Sequence, residues 1–449
     1  MSEDIQRTVA SVWQSVGAPR SEPFVLRSYL TQVGLVTRIS RTRYKTIVGE
    51  KEDLVNFYLS TDQQEIKDRA AEFADEEVAP RAAELDRDDL VPFEVLEKLA
   101  DAGFMGLCVP EAYGGAGMDF LTYCLLIEEI SRADAGVGVT LAVHTSAGTL
   151  PIVMFGTEEQ KARWVPPLAR GERIGCFALT EPETGSDASA IRTRAEKVEG
   201  GYCISGHKQW VTNGRVAGTM ILFARAAGGA REGVTAFVVP TDAEGISFGK
   251  HAEKMGVISA TTDDVLFDNV FVPEEDRLGD EGRGLRVALG TLDTGRIGIA
   301  AQAVGIAEAA FRYATQYAAE RTTFGKPIAE HQAIAFKLAD MQTNIRAARL
   351  LVYEAAWMKD RKMGHGEAGA RAKLYASQIA NEVAYEAIQV LGGRGYMKDH
   401  PVERYYRDAR VTEIYEGTSE IQRLVISRAI LEEQAEAPGG VEESRPVVG

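Results

Sequence analysis

The hydrophobic period of this chain changes twice along its length, and the order of those periods limits its fold more than any single residue does. From Thr61 to about Gly171 apolar positions recur three and four residues apart, as in Gln63-Gln64-Glu65-Ile66-Lys67 and from Leu121 to Ile130, the spacing of helices that bury one face. Between about 175 and 280 the apolar runs shorten to Tyr202-Cys203-Ile204, Met220-Ile221-Leu222-Phe223, Val234 to Val239 and Val265-Leu266-Phe267, bounded by Gly, Asp or Pro. That is the pattern of strands. After Gly284 helical spacing returns, with Leu338, Met341, Ile345, Ala348, Val352 and Ala355 on one face and Ile379, Val383, Ala387 and Leu391 on another. The order predicts a multidomain α+β protein: an N-terminal α-helical domain over 55–174, a central antiparallel β domain over 175–283 and a C-terminal four-helix bundle over 284–434. An atypical extension, 1–54, and a flexible tail, 435–449, flank them, with loss of order expected from Glu432.

The 449 residues exceed the usual size of one core, in line with several packed units. A net charge of -16, from 66 acidic and 50 basic residues, excludes a general nucleic-acid or membrane-surface binder, which needs a basic field. An anionic ligand would need a few locally placed arginines. Cys108, Cys124, Cys176 and Cys203 form no CxxC pair and have no histidine at metal-ligand spacing, so neither a disulfide framework nor a metal site is expected. No run approaches the roughly 18–20 apolar residues of a membrane span. The N-terminus lacks a secretory signal, and a cytoplasmic location is expected. Arg38, Arg41, Arg43 and Lys45 raise the mitochondrial matrix as the alternative, which Glu3 and Asp4 oppose.

Three segments carry chemistry. Ile414-Tyr415-Glu416-Gly417-Thr418-Ser419-Glu420-Ile421-Gln422 places one carboxylate between a tyrosine and a glycine on an apolar approach, where burial would raise its pKa toward that of a working base. Upstream, Leu179-Thr180-Glu181-Pro182-Glu183-Thr184-Gly185-Ser186-Asp187 joins small and hydroxyl residues into a loop whose backbone amides could face a flat polar ring. Gln389-Val390-Leu391-Gly392-Gly393-Arg394-Gly395-Tyr396 ends a helical pattern in glycines that admit close approach of a ligand, with Asp399, Arg404 and Asp408 behind it. Gly114-Gly115-Ala116-Gly117 follows no strand and is a weak phosphate cradle. The six histidines have no Ser or Cys partner pattern, so hydrolytic catalysis is unsupported.

Together these segments resemble the acyl-CoA dehydrogenase family of flavoenzymes, closest to its short-chain, butyryl-CoA branch. The likeness runs from near Val55 to about Ile430. Ile174 to Leu179, Leu292-Asp293-Thr294-Gly295-Arg296-Ile297-Gly298-Ile299-Ala300 and the Thr-Ser-Glu-Ile-Gln string point to that branch. Because Val55-Asn56-Phe57 is a natural family start, residues 1–54 read as an upstream extension. Where many relatives carry arginine, this chain has Ile258, which puts one loop contact in doubt.

The resemblance implies oxidation of an acyl-CoA to its trans-2-enoyl-CoA, with Glu416 taking the α proton, FAD taking the β hydride at N5, and electron-transfer flavoprotein receiving the electrons. Some relatives hold the base at the position of Gly295, which has no side chain here. FAD would lie along Phe177, Ala178, Leu179, Thr180, Gly185 and Ser186, and under Trp210, Val211 and Thr212. Arg321, Phe324, His331 and Gln332 would reach a neighbouring subunit's FAD, with Gln389, Gly392 and Gly393 at the pyrophosphate and Thr418 and Glu420 returning from the base loop. That sharing implies a homotetramer. Ser186, Asp293, Arg296, Gly417 and Arg428 would contact the acyl-CoA. Each assignment has a plainer alternative: Glu416 as a helix cap, Trp210 as core, Arg321 as a helix-end charge, Arg296 and Arg428 as ion-pair members. Medium-chain or short-branched substrates, an oxidase and an inactive scaffold that kept the fold stand as alternative functions.

Overall fold

Two aspartates start the central N-terminal helices by one device. The Asp119 carboxylate accepts from Thr122 N at 2.8 Å and the Asp134 carboxylate from Val137 N at 2.9 Å, each satisfying an amide that a helix start leaves without a partner. They open α4 (Phe120–Ala133) and α5 (Ala135–Val143). The computed structural model describes residues 59–226 and 233–436; the expected extension 1–54 and residues 437–449 of the expected tail lie outside them. Before α4 come α1 (Thr61–Phe73), α2 (Ala82–Asp88) and α3 (Phe93–Asp101). After α5 a π-helical turn, His144–Thr149, leads into α6 (Leu150–Phe155) and α7 (Glu158–Ala169). Ala135–Phe155 is, contrary to the sequence expectation, long and apolar enough to cross a membrane by composition. It is almost wholly buried inside the protein, as a core helix of a globular fold is.

Eight strands follow among the described residues: β1 (Gly175–Ala178), β2 (Arg194–Val198), β3 (Gly201–Thr212), β4 (Thr219–Arg225), β5 (Val234–Pro240), β6 (Ile246–His251), β7 (Thr262–Pro273) and β8 (Arg277–Leu278). They form one sheet in the order β6-β7-β3-β2-β4-β5-β8, with β1 beside β4. Pairing is antiparallel except for β1 with β4 and the single Arg194–Arg225 pair of β2 with β4. The parallel β1 runs against the π-helical turn, where His144 Nδ1 accepts from Gly175 N at 3.0 Å. β1 is therefore tied to the helical layer at its first residue.

Three long helices dominate the remainder: α8 (Gly284–Glu320), α9 (Gln332–Asp360) and α10 (Gly366–Leu391). A small hairpin of β9 (Thr322–Thr323) and β10 (Lys326–Pro327) joins α8 to α9. The shorter α11 (Val402–Val411) and α12 (Ser419–Glu436) lean on α10, and α8 also packs on α4. α12 continues through Glu432 to Glu436, so helix extends past the point at which loss of order was expected.

The loop before β7 locks sheet to helices. Val257 N donates to the Asp408 carboxylate on α11, and Ser259 Oγ to that of Asp134, both at 2.5 Å. Arg404 is buried at the same junction, and burial, with Asp134 nearby, pushes Asp408 up to about 7. Arg404 and Asp408 thus serve domain packing, and Ile258 is half-buried in the same loop. Gly115 serves packing too: a Cβ there would lie 2.5 Å from the Cβ of Val109.

Candidate active site

Glu416 and Gly417 both lie in the left-handed region, with φ of +50° and +91°, which turns the Glu416 side chain inward ahead of α12. Such a φ is uncommon for a residue with a Cβ and marks a conformation the surroundings must hold. The Gln422 amide donates to the Glu416 carbonyl at 3.2 Å and to the Gly417 carbonyl at 2.7 Å, and Lys373 Nζ on α10 donates to the latter at 2.8 Å. Tyr415 donates its hydroxyl to Gln302 Oε1, and Gln302 is anchored to the Ala135 carbonyl at 2.7 Å. The capping role open to Glu416 falls to Thr418, whose Oγ1 accepts from Ile421 N at 3.4 Å. Oε2 of Glu416 is enclosed and has no hydrogen-bond partner among the described residues. Burial pushes the carboxyl up to about 7, against the opposing pull of Lys373 and then Arg296.

Gly295 on α8 faces that carboxylate: a Cβ there would lie 2.9 Å from Cδ of Glu416. One turn on, a Cβ at Gly298 would lie 2.9 Å from the Tyr123 hydroxyl. Tyr123 is fully buried on α4 and bonds the Ala142 carbonyl at 3.3 Å. Arg296, buried beside Gly295, pairs with Asp293 at 2.6 Å through Nη1, the ion pair foreseen as its plainer reading. Its Nε has no partner among the described residues, and its charge acts on Glu416. Arg428 is exposed on α12, nine residues beyond Ser419 and so about 14 Å along the axis.

Phe177 on β1 and Tyr415 pack on one small apolar cluster of Val139, Val143, Ala147, Ala260 and Ile299, which brings the ring-side segment to the base loop. Beyond buried Ala178 and Leu179, the half-buried Thr180 accepts from Gln209 N at 2.9 Å. Lys208, fully buried on β3, donates to the Leu179 carbonyl at 2.9 Å and to Glu181 at 2.7 Å. Burial pulls the Lys208 amine down to about 8, although Glu181 opposes it. Burial would raise Glu181, but Lys208 and the amides around Arg192 and Thr193 outweigh it and hold the carboxyl low. The lowered carboxyl keeps Glu181 ionised, and an amine at about 8 is still mostly protonated at neutral pH, so the ion pair pins the loop. Gly185 and Ser186 are exposed at its tip.

Trp210 is 61% exposed, at φ +58°, where the register of β3 on β7 shifts between Lys208 and Val211. It is not core filler; the bulge turns it outward, between buried Val211 with half-buried Thr212 and the loop-bonded Gln209.

A separate cleft of about 650 Å³ brings Arg321, Thr323, His331, Gly392, Gly393 and Arg394 together at the ends of the long helices. Gly392, at φ +61°, and Gly393 have nothing within 4 Å of an added Cβ, which leaves open backbone beside a guanidinium. Phe324, 96% exposed at φ +51°, projects from the adjoining hairpin, edge-on to His331 at 5.9 Å. Gln332, Gln389 and Glu420 are exposed. Among the described residues, those from 177 to 186 and 210 to 212 do not line this cleft.

The chain matches family models for the acyl-CoA dehydrogenase N-terminal domain over residues 60–172, the middle domain over 176–270 and the C-terminal domain over 282–431. The chain belongs to the acyl-CoA dehydrogenase family. It is 49% identical over 375 residues to an acyl-CoA dehydrogenase of Bacillus subtilis (strain 168), covering 83% of this chain and 99% of that one. It is 44% identical over 369 residues to the mitochondrial short-chain specific acyl-CoA dehydrogenase of Mus musculus, covering 82% and 90%. The solved structure of butyryl-CoA dehydrogenase from Megasphaera elsdenii superposes with a TM-score of 0.83 at 42% identity, covering 84% of this chain and all of that one. The protein is thus an acyl-CoA dehydrogenase, an oxidoreductase of fatty-acid metabolism with three domains, helical, β and helical, and FAD as its cofactor.

The residues present fit that cofactor. An arginine beside open glycine backbone suits a diphosphate, which guanidinium binds bidentately, and an outward tryptophan beside a pinned amide-bearing loop suits a flat ring. Sequence reasoning missed Lys373, Gln422, Gln302, Tyr123 and the Lys208–Glu181 pair. Gln422 and Glu181 stand inside the strings already singled out, and Lys373 falls in the stripe Ala370, Ser377, Ala380, Ala384 and Ala387, whose members are all buried.

Proposed function

We propose that this acyl-CoA dehydrogenase acts on short, butyryl-sized acyl-CoA thioesters with Glu416 as its base. The observation that carries the reading is the meeting of Gly295, Glu416 and Tyr123 along one face of α8. Glu416 presents an unpartnered, enclosed Oε2, and its elevated pKa of about 7 matches a base working near neutrality. It takes the proton from the carbon beside the thioester carbonyl. The chemistry that FAD would supply when bound is acceptance of the hydride from the next carbon, which together with the proton taken by Glu416 would account for the trans double bond. Tyr123, with its hydroxyl against Gly298 one turn from the base, supports the short-chain preference because it fills space that a longer acyl tail would need.

The chain's other residues bind and orient. Phe177 to Ser186 and Trp210 to Thr212 face the ring system; Arg321, His331, Gly392 and Gly393, with Gln389 and Phe324 at the rim, take the phosphate side; Thr418 and Glu420 add contacts from the base loop. The separation of the cleft from the ring-side segments supports cofactor shared between subunits of a homotetramer, as does Phe324, which lacks cover in one chain. Asp293, Arg296, Ser186, Gly417 and Arg428 face the acyl-CoA, electron-transfer flavoprotein takes the electrons, and the cytoplasm is the compartment. Anaerobic bleaching of the flavin spectrum across a chain-length series tests this reading. Bleaching should be fastest at four carbons; a maximum at eight carbons or on a branched chain overturns the substrate, and a colourless protein that acyl-CoA leaves unchanged overturns the enzyme.

A further inference from the structure

Lys373 is 0% exposed, in the buried stripe of α10. A fully enclosed ammonium is costly unless an anion answers it, yet its hydrogen-bond acceptor is a neutral one, the Gly417 carbonyl at 2.8 Å. Burial pulls the Lys373 amine down to about 8, and the charge that opposes this most strongly is Glu416, with Glu413 and Glu420 weaker and Arg296 of α8 acting the other way. Seen from the carboxylate, Lys373 is the larger of two cationic influences and Arg296 the smaller. The phenols of Tyr123 and Tyr415 also lie within its electrostatic reach, and both are raised well above their ordinary range by burial. The Gly417 carbonyl that Lys373 grips also takes the Gln422 amide at 2.7 Å. One charged and one neutral donor therefore hold the left-handed Glu416–Gly417 pair.

We propose that Lys373 is a positioning residue for the reaction: its enclosed ammonium fixes the Glu416–Gly417 turn through the Gly417 carbonyl and supplies the counter-charge against which the carboxylate ionises in an apolar site. The inference rests on Glu416 being the base. It assigns the α10 lysine a task distinct from that of Arg296, whose Nη1 is engaged by Asp293.

The test uses the full-length, FAD-loaded enzyme with Lys373→Met, Lys373→Gln and Lys373→Arg, and with Glu416→Gln as reference. Two quantities are followed against pH: the rate of anaerobic flavin reduction by butyryl-CoA, and the protonated-carboxyl infrared band that Glu416→Gln removes, which needs no turnover. Loss of the positive charge should move both midpoints to higher pH by about one unit or more, so that the rate at neutral pH falls about fivefold or more and returns in alkaline buffer. Lys373→Gln keeps a donor without charge and covers the case in which Lys373→Met does not fold; Lys373→Arg should hold the wild-type midpoint. Neutral variants that are slower at every pH with both midpoints unmoved overturn the proposal and leave Lys373 a structural residue. A Glu416→Gln enzyme that still reduces its flavin at the wild-type rate overturns the base assignment instead, an outcome the infrared titration keeps separate.

Discussion

Gly295 and Glu416 occupy one space: a methyl group at 295 would sit 2.9 Å from the carboxyl carbon of Glu416 and closer still to Oε2. The base loop and α8 are therefore fitted to each other at an α8 position where a side chain is missing. In a helix a glycine costs about 1 kcal/mol against alanine, and here it leaves room for the carboxylate.

Gly295→Ala should consequently separate stability from activity. Melting should be unchanged or slightly raised by the better helix former, while displacement of the carboxylate lowers kcat by about a hundredfold, the scale of a 1 Å error in placement. Equal kcat values for the two proteins would show that Glu416 has room to move without loss.

The pH dependence follows from the burial of Glu416. A base must be ionised, and its pKa is pushed up to about 7, so the rate of flavin reduction should rise with pH through about 7 and fall away below it. A midpoint near the ordinary glutamate range, about 4 to 5, would mean that the carboxylate is solvated in the working enzyme.

Lys208→Met leaves Glu181 buried without its cation. Removing one partner of a buried pair costs about 3–5 kcal/mol, and the loop it pins carries the ring-side amides, so denaturant unfolding should move to lower concentration and FAD should dissociate faster. Retained flavin and a stability loss below about 1 kcal/mol, the worth of an exposed pair, would remove the pair from the account of that loop.

Tyr123→Ala should open the space beside Gly298 and shift the best substrate toward longer acyl chains, at a stability cost of about 3–5 kcal/mol for the cavity. Tyr123→Phe keeps the ring and should keep the four-carbon preference. An unaltered chain-length profile in the alanine variant would place the limit of the pocket elsewhere.

The helix–strand–helix order was legible because each element keeps its period over many residues: the α9 stripe of Met341, Ile345, Ala348, Val352 and Ala355 is buried. Local strings also made the family legible. Contacts made only by folding were not. Lys373 is 43 residues from Glu416, and a lone lysine in an alanine-rich helix reads as solvated unless its place in the buried stripe is counted. The outward Trp210 depends on a register shift against β7, which no run of residues in β3 announces. His144, Thr145 and Ser146 interrupt the apolar Ala135–Phe155 stretch, although those polar groups turn inward with the rest.

The central claim is that one carboxylate does the proton abstraction, and Glu416→Gln tests it most directly through the rate of anaerobic flavin reduction by butyryl-CoA in rapid mixing. The amide keeps the size and the loop, so the variant should fold, stay yellow and bind the thioester, with reduction slowed about 10²–10⁴-fold, the usual weight of general base catalysis. Reduction at the wild-type rate would contradict the claim and require another base.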